Sequence, residues 1–299
     1  MKILSFGSMN IDNTYSVDEF VQPGETMTAK NLSKFCGGKG LNQSIALAAA
    51  GADVSHFGCV GEDGDILLDM LKSRGVNTDS VIKIDNITSG HAIIQVDSHG
   101  QNSILLYPGA NRRMTPELID RELEKYSCGD WLLIQNETNC LEYIMRAANK
   151  KGMKIAFNPS PMDGTVSTLP LELVDLFLVN EIEGAAVTGK EITEEITAEF
   201  EKLFPNAAVI LTLGKKGSVF KSEKDMLFQP SYCGTVKDTT GAGDTYTGFF
   251  IANYIKGVSL QECMRIAAMA STVQISRDGA AIAIPTKQEV LDALKNHCR

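Results

Sequence analysis

Short apolar runs alternate with helix-patterned stretches along almost the whole chain, and this alternation constrains the fold more than any single motif. Candidate strands fall at 3–6, 54–59, 131–135, 154–158, 176–180 and 209–213. Between them, apolar residues recur at helical spacing over 42–50, 65–72, 116–126, 141–151 and 194–203. Strand–helix alternation of this kind predicts an α/β fold, a three-layer sandwich with a central, mostly parallel sheet. Three more helical patterns, at 245–256, 260–275 and 287–296, close the chain. No low-complexity linker or internal repeat divides it, so one domain over 1–299 is expected.

Two stretches break the rhythm. The runs 91–97 and 102–107 are strand-like and joined by Ser98-His99-Gly100-Gln101, a hairpin with no helix between them. The segment 14–35 is also non-helical and carries Pro23-Gly24. Pairing the segments 14–35 and 91–107 gives a small β-sheet projecting from the main body, as a lid over a pocket or as a purely structural flap.

Several classes are disfavoured. The longest apolar run, 45–52, falls well short of the ~20 residues of a membrane span. The first seven residues read as a strand entering a glycine turn, not as the apolar core of a signal peptide, so a cytoplasmic location is expected. The seven cysteines (Cys36, Cys59, Cys128, Cys140, Cys233, Cys263 and Cys298) are scattered and form no C-x-x-C pair, which suits free thiols in a reducing compartment. The four histidines show no metal-ligand spacing. A net charge of −9 disfavours nucleic acid and anionic membranes as partners. An anionic substrate would need local donors.

The stretch Asp238-Thr239-Thr240-Gly241-Ala242-Gly243-Asp244 offers them. It follows the apolar run around Phe228 and leads into the helical pattern at 245–256. The free N–H groups of Ala242, Gly243 and Asp244 then stand at a helix N-terminus, where an anion is favoured. The glycines let a phosphate approach the backbone. Asp244 is a poor phosphate ligand there but a sensible proton acceptor for a hydroxyl attacking that phosphate. By itself the stretch also fits an Asp-capped turn. A second glycine-rich helix start, Gly37-Gly38-Lys39-Gly40-Leu41-Asn42, accompanies it. It is no Walker A loop, since Ser33 and Gly40 occupy the first and last motif positions. Neither cluster is a dinucleotide fingerprint, because the third glycine falls on Gln43 or Tyr246.

In parallel sheets, ligands sit beyond the carboxyl ends of strands. After the first strand come Asn10 and Asp12, two residues apart and on one side of an extended segment, as a polyol requires. Asn136-Glu137, Pro159-Ser160-Pro161, Asn180-Glu181-Ile182-Glu183 and Gly214-Lys215-Lys216-Gly217 follow four later strands.

These motifs, with Pro23-Gly24-Glu25-Thr26 and Pro108-Gly109-Ala110-Asn111, give a chain that resembles the PfkB-type carbohydrate kinases nearly end to end. The resemblance implies an ATP-dependent kinase phosphorylating a primary alcohol of a sugar, with D-ribose giving ribose 5-phosphate as the expected reaction. Asp244 would be the base, and Gly241, Ala242 and Gly243 the anion hole. Asn10, Asp12, Gly38, Lys39, Asn42 and Glu137 would hold the sugar. Thr212, Gly214, Lys215 and Gly217 would border the nucleotide, with Gly243 touching its phosphates. Asn180 and Glu183 would organise Mg²⁺ and phosphates. A monovalent cation, K⁺, would lie between Asp238 and Thr240 on one side and Gln274, Arg277, Gly279 and Ala283 on the other. The resemblance also implies a homodimer paired through the small sheet.

Two positions depart from the family pattern. Asn136 stands where an apolar residue is expected, implying a modestly altered sugar pocket. The segment 276–283 lacks the expected proline and serine near its end. Fructose, a ketohexonate or a nucleoside are rival substrates. A non-catalytic sugar sensor is a rival of another class, disfavoured because binding alone needs no Asp244.

Overall fold

The central strands read as unbroken apolar runs because both of their faces are covered. In β1 (Ile3–Phe6), Ile3 enters one hydrophobic core while Leu4 and Phe6 enter a second core on the opposite face. The structure, a computed structural model, describes residues 1–297, so Cys298 lies outside the described residues. β1 is flanked in parallel by β4 (Val54–Val60) and β8 (Trp131–Gln135). Beyond β4 lies β5 (Val81–Lys83); beyond β8 come β9 (Lys154–Asn158), β10 (Leu176–Asn180) and β11 (Ala208–Thr212), all parallel. An antiparallel hairpin, β12 (Gly217–Lys221) and β13 (Met226–Pro230), completes that edge. The helix–strand alternation does not predict this hairpin, because no helix separates its strands and β13 leaves alternate residues exposed.

One face of the sheet carries α1 (Lys39–Ala49), α2 (Asp65–Ser73), α7 (Ala242–Tyr254), α8 (Leu260–Gln274) and α9 (Lys287–His297). The other carries α3 (Pro116–Leu123), α4 (Leu141–Lys150), α5 (Glu181–Thr188) and α6 (Thr193–Leu203). This is the expected three-layer sandwich. Both α1 and α7 start earlier than their apolar patterns indicate, because their first turns are glycine-rich and polar. The pattern at 176–180 ends without announcing α5. Its signal was local: Asn180 and Glu183 form a capping box.

A second sheet, in the order β3-β2-β6-β7, joins β2 (Asn10–Ser16), β3 (Asn31–Gly37), β6 (Gly90–Val96) and β7 (Asn102–Tyr107). It contains the two expected segments, but β2 begins at Asn10, directly after β1 and the turn at Gly7. Every residue of β7 is exposed. In the large sheet the chain runs outward from β1 through β4 on one side and through β8 on the other. That reversal of strand order leaves a crevice at the carboxyl ends of β1 and β8.

Candidate active site

Two glycines bring the first turns of α1 and α7 to this crevice. A Cβ at Gly248 would lie 2.4 Å from the Cβ of Ala46, so α7 rests against α1 backbone to backbone. A Cβ at Gly40 would meet the backbone of Gly7 at 2.5 Å, seating α1 against the end of β1. The consequence is polar. Asn42 Nδ2 donates to Asp244 Oδ2 at 3.0 Å, and Gln43 Nε2 donates to Asp244 Oδ1 at 2.9 Å. Asp244 is only 8 % exposed, yet both of its carboxylate oxygens are engaged by neutral donors. Sequence reasoning placed Asn42 on the sugar and overlooked Gln43. The available signal was two buried amide side chains in the first turn of an Ala-rich helix.

Ahead of Asp244, Gly241 adopts φ 77° and offers no side-chain cap to α7. The Ala242 N–H is drawn into the turn, donating to the Thr239 carbonyl at 3.2 Å. This corrects the expected anion hole at one position: Ala242 leaves it, while the N–H groups of Gly241, Gly243 and Asp244 have no protein acceptor among the described residues. A cavity of about 210 Å³ opens beside them, lined by Lys39, Asp244 and the turn 241–243, and also by Asn180, Glu183 and Thr212.

Asn180 and Glu183 are locked together. The Glu183 N–H donates to Asn180 Oδ1 at 2.9 Å, and the Asn180 N–H donates to Glu183 Oε2 at 3.0 Å. Gln43 Nε2 also donates to Asn158 Oδ1 at 3.1 Å, and Asn158 Nδ2 reaches Glu183 Oε2 at 3.5 Å. A chain of amides therefore links the Asp244 carboxylate to the Glu183 carboxylate. Gly214, Lys215 and Gly217 do not line the cavity. At Gly217, φ is 122° and a Cβ would lie 2.1 Å from the Gln229 carbonyl, so the β12–β13 hairpin already demands that glycine.

The other side of the site hangs on Glu137. Its Oε2 accepts the Lys39 N–H at 3.0 Å and a short hydrogen bond from Ser8 Oγ, while the Leu41 N–H donates to the Ser8 carbonyl at 2.9 Å. The start of α1 is thus already capped, unlike that of α7. Burial pulls the Lys39 ammonium down, but the carboxylates of Asp244, Glu137 and Glu183 more than offset it and hold it above its usual value. Asp12 packs against Gly37, and burial, with Glu137 adding repulsion, pushes its carboxyl up to about 7. Asn10 is buried and oriented by Asn111, whose Nδ2 donates to Asn10 Oδ1 at 2.8 Å and whose Oδ1 accepts the Met9 N–H at 3.0 Å. Asn111 belongs to a motif noticed in the sequence without a role. Asn136 faces away from this group, donating to the Pro161 carbonyl at 2.8 Å and to Asp163 at 3.1 Å, so its departure from the family pattern serves the loop after β9.

The expected cation ligands are brought together only in part. Gln274 Nε2 donates to the carbonyls of Thr240, Gly279 and Ala280, and Asp238 accepts from Thr240 and Gly279. The Arg277 side chain pairs with Glu289 at 2.6 Å and the Ala283 N–H donates to the Ala280 carbonyl at 3.1 Å, contacts that do not involve the carbonyls of Arg277 and Ala283. No cluster of three or more His, Cys, Asp or Glu side chains able to hold a metal exists among the described residues.

Comparison with known proteins assigns the family. The chain matches the pfkB family carbohydrate kinases over residues 1–287. It is 33 % identical to a ribokinase of Haemophilus influenzae over 298 residues, covering 97 % of each chain. Among solved structures it is similar to a ribokinase of Cryptococcus neoformans in complex with ADP (TM-score 0.86, 32 % identity, 97 % of this chain and 99 % of that one). It is also similar to a ribokinase of Arabidopsis thaliana complexed with ribose and ATP (TM-score 0.85, 29 % identity, 98 % of each).

Proposed function

The chain belongs to the pfkB family of carbohydrate kinases, and from that premise we propose that it is a ribokinase, transferring the γ-phosphoryl group of ATP to D-ribose. The observation that carries the reading is the placement of Asp244. It is buried, held by two amides and adjacent to two backbone donors with no protein acceptor. A binding protein has no use for such a base; a phosphoryl transferase does.

Asp244 accepts the proton of the primary hydroxyl as that oxygen bonds to the γ-phosphorus and the bond to the ADP oxygen breaks. The N–H groups of Gly243 and Asp244 hold the charge that spreads onto the transferring group, and Lys39, lining the same cavity, adds a positive charge. Asn10, Asp12 and Glu137 take the sugar hydroxyls, with Asn111 fixing the Asn10 amide. Asn180, Glu183 and Thr212 lie on the nucleotide side of the cavity. Magnesium bound with the nucleotide would neutralise phosphate charge, and the single carboxylate of Glu183 at the cavity wall suits an ion that keeps most of its waters.

The small sheet serves as the lid, and its exposed Ile104, Leu105 and Leu106 provide the contact of a homodimer. No helix among the described residues is long and apolar enough to cross a membrane, and the six described cysteines are free. Both features suit work in the cytoplasm.

ADP release with Mg·ATP across ribose, 2-deoxyribose, fructose, a ketohexonate and nucleosides tests the reading. Ribose should give the highest kcat/KM. A preference for another acceptor would move the substrate assignment, and tight ribose binding without turnover would replace the kinase with a sensor.

A further inference from the structure

Three backbone carbonyls, those of Thr240, Gly279 and Ala280, converge on one buried point behind the turn that leads into α7. Convergent carbonyl oxygens repel one another unless a positive group stands among them, as a dehydrated potassium ion does in channel filters. Here the point is taken by Gln274 Nε2, which lies 3.1, 3.1 and 3.0 Å from the three oxygens. Gln274 ends α8 and is fully buried. We infer that its side-chain amide stands in for a monovalent cation, so that this protein sets its anion-binding turn without potassium.

An ion and an amide nitrogen cannot share that point. Turning the amide over would bring Oε1 against three oxygens, an arrangement tolerable only with a cation among them. In the observed orientation Oε1 is buried without a partner. The Ala280 carbonyl also accepts the Ala283 N–H, so the nitrogen leaves one acceptor unpaired where the turned amide would leave the carbonyls of Thr240 and Gly279 without a donor.

The Asp238 carboxylate, also expected in the cage, is engaged by the protein as well, and a neighbouring arginine fixes carbonyls next to the cage segment. Asp238 Oδ1 accepts the Thr240 N–H at 2.9 Å and the Thr240 hydroxyl at 2.6 Å, while Oδ2 accepts the Gly279 N–H at 3.0 Å. The Arg74 guanidinium holds the carbonyls of Ala281 at 3.3 Å and Ile284 at 2.5 Å. Thr240 is therefore tied to the 279–280 segment twice, through the Asp238 carboxylate and through the Gln274 amide. Thr240 precedes Gly241, whose φ of 77° aims the amides of Gly243 and Asp244. Gln274 is a positioning residue for that turn.

The inference rests on the kinase reading, but its test does not depend on turnover alone. Rates of the intact protein at constant ionic strength in K⁺, Na⁺, Cs⁺ and tetramethylammonium chloride should agree within about twofold, below the roughly 5–150-fold of ordinary site coupling. Thermal melts in the same salts should show no K⁺-specific rise in Tm, since an ion binding only the folded state would produce one. Activation by K⁺, or a K⁺-specific rise in Tm, would overturn the inference. Gln274→Ala opens the point: turnover should fall about 10–100-fold in tetramethylammonium, through misaimed donors, and recover in K⁺. If that variant does not fold, Gln274→Glu places a carboxylate against the three carbonyls and should make Tm depend on K⁺. Wild-type turnover and Tm for folded variants in every salt would show that the amide positions nothing. A wild-type protein inert toward every sugar in every salt would count against the kinase reading instead, while the melts would still decide the cation question.

Discussion

The turn before α7 and the strand β2 belong to one site, joined through Glu137 and Lys39, yet they are prepared in opposite ways. At the turn the carboxylates of Asp244 and Asp238 are already held by protein donors, and only backbone N–H groups are left for the phosphate. Asn42 and Gln43 hold Asp244, Asp238 holds Thr240 and Gly279, and Gln274 gathers three carbonyls. At β2 the Asp12 carboxylate accepts no hydrogen bond among the described residues, and only burial and Glu137 act on it. The difference follows from the two tasks. Stabilising a transferring phosphoryl group requires donors and a base fixed before the substrate arrives. Recognising a hydroxyl requires a polar group left unsatisfied until that hydroxyl fills it.

The sharpest way to break this comparison is Asp244→Asn. Asparagine keeps the size and one acceptor oxygen, so it retains one of the two amide contacts as they stand, but it cannot accept the proton; kcat should drop by about 10²–10⁴-fold in a variant that still folds. Near-normal turnover in a folded variant would remove Asp244 from the chemistry.

On the β2 side, Asp12→Ala should raise KM for ribose about 10–150-fold, the worth of one hydrogen bond to a charged group, and leave KM for ATP nearly unchanged. With its carboxyl titrating at about 7, wild-type ribose affinity should weaken as pH falls from 8 to 6, and Asp12→Asn should flatten that profile. Stability should show the matching sign. Folded Asp12 binds its proton more tightly than the unfolded chain, so its contribution is full below the ordinary aspartate value of 3.8 and is lost as pH rises through about 7. Unliganded Asp12→Asn should therefore be more stable than wild type at pH 8, by about 1–3 kcal/mol, and this advantage should vanish near pH 4. Thermal melts at the two pH values decide it, and an Asn variant less stable than wild type at pH 8 would mean that Asp12 has a partner after all.

Gln43→Ala probes the fixed side more gently. Asn42 still holds Asp244, so kcat should fall only about tenfold, the low end for one charge-assisted hydrogen bond, with KM for ribose unmoved. A rise in KM alone would put Gln43 on the sugar instead. The smallest effect on turnover is expected from Leu105→Glu on the exposed face of the small sheet. Burying Leu105 in a partner would contribute about 1.5–3 kcal/mol per subunit, so the variant should sediment as a monomer while turnover changes little. Wild-type protein that sediments only as a monomer at micromolar concentration would remove the dimer from the proposal.

The sequence by itself determined the layered body, because burial on both faces forces each central strand to be apolar throughout and each flanking helix to carry one apolar stripe. Local chemistry also placed the start of α7, where two glycines and an acidic residue leave little but a sharp turn into a helix. The β12–β13 hairpin and α5 escaped detection, since weak alternation and a two-turn helix leave too few apolar positions to establish a period. What only the tertiary structure decided is which side chain touches which. Asn42 and Gln43 lie about 200 residues from Asp244 along the chain (|i−j| of 202 and 201) and meet it because Gly248 lets α7 rest on Ala46. Gln274 shows the limit most plainly. A glutamine beside a set of carbonyls is equally good as a ligand through oxygen or as a substitute through nitrogen, and composition cannot tell the two apart. Its orientation is set by the carbonyls of Thr240, Gly279 and Ala280, which come together only once α8 and the turn before α7 have packed.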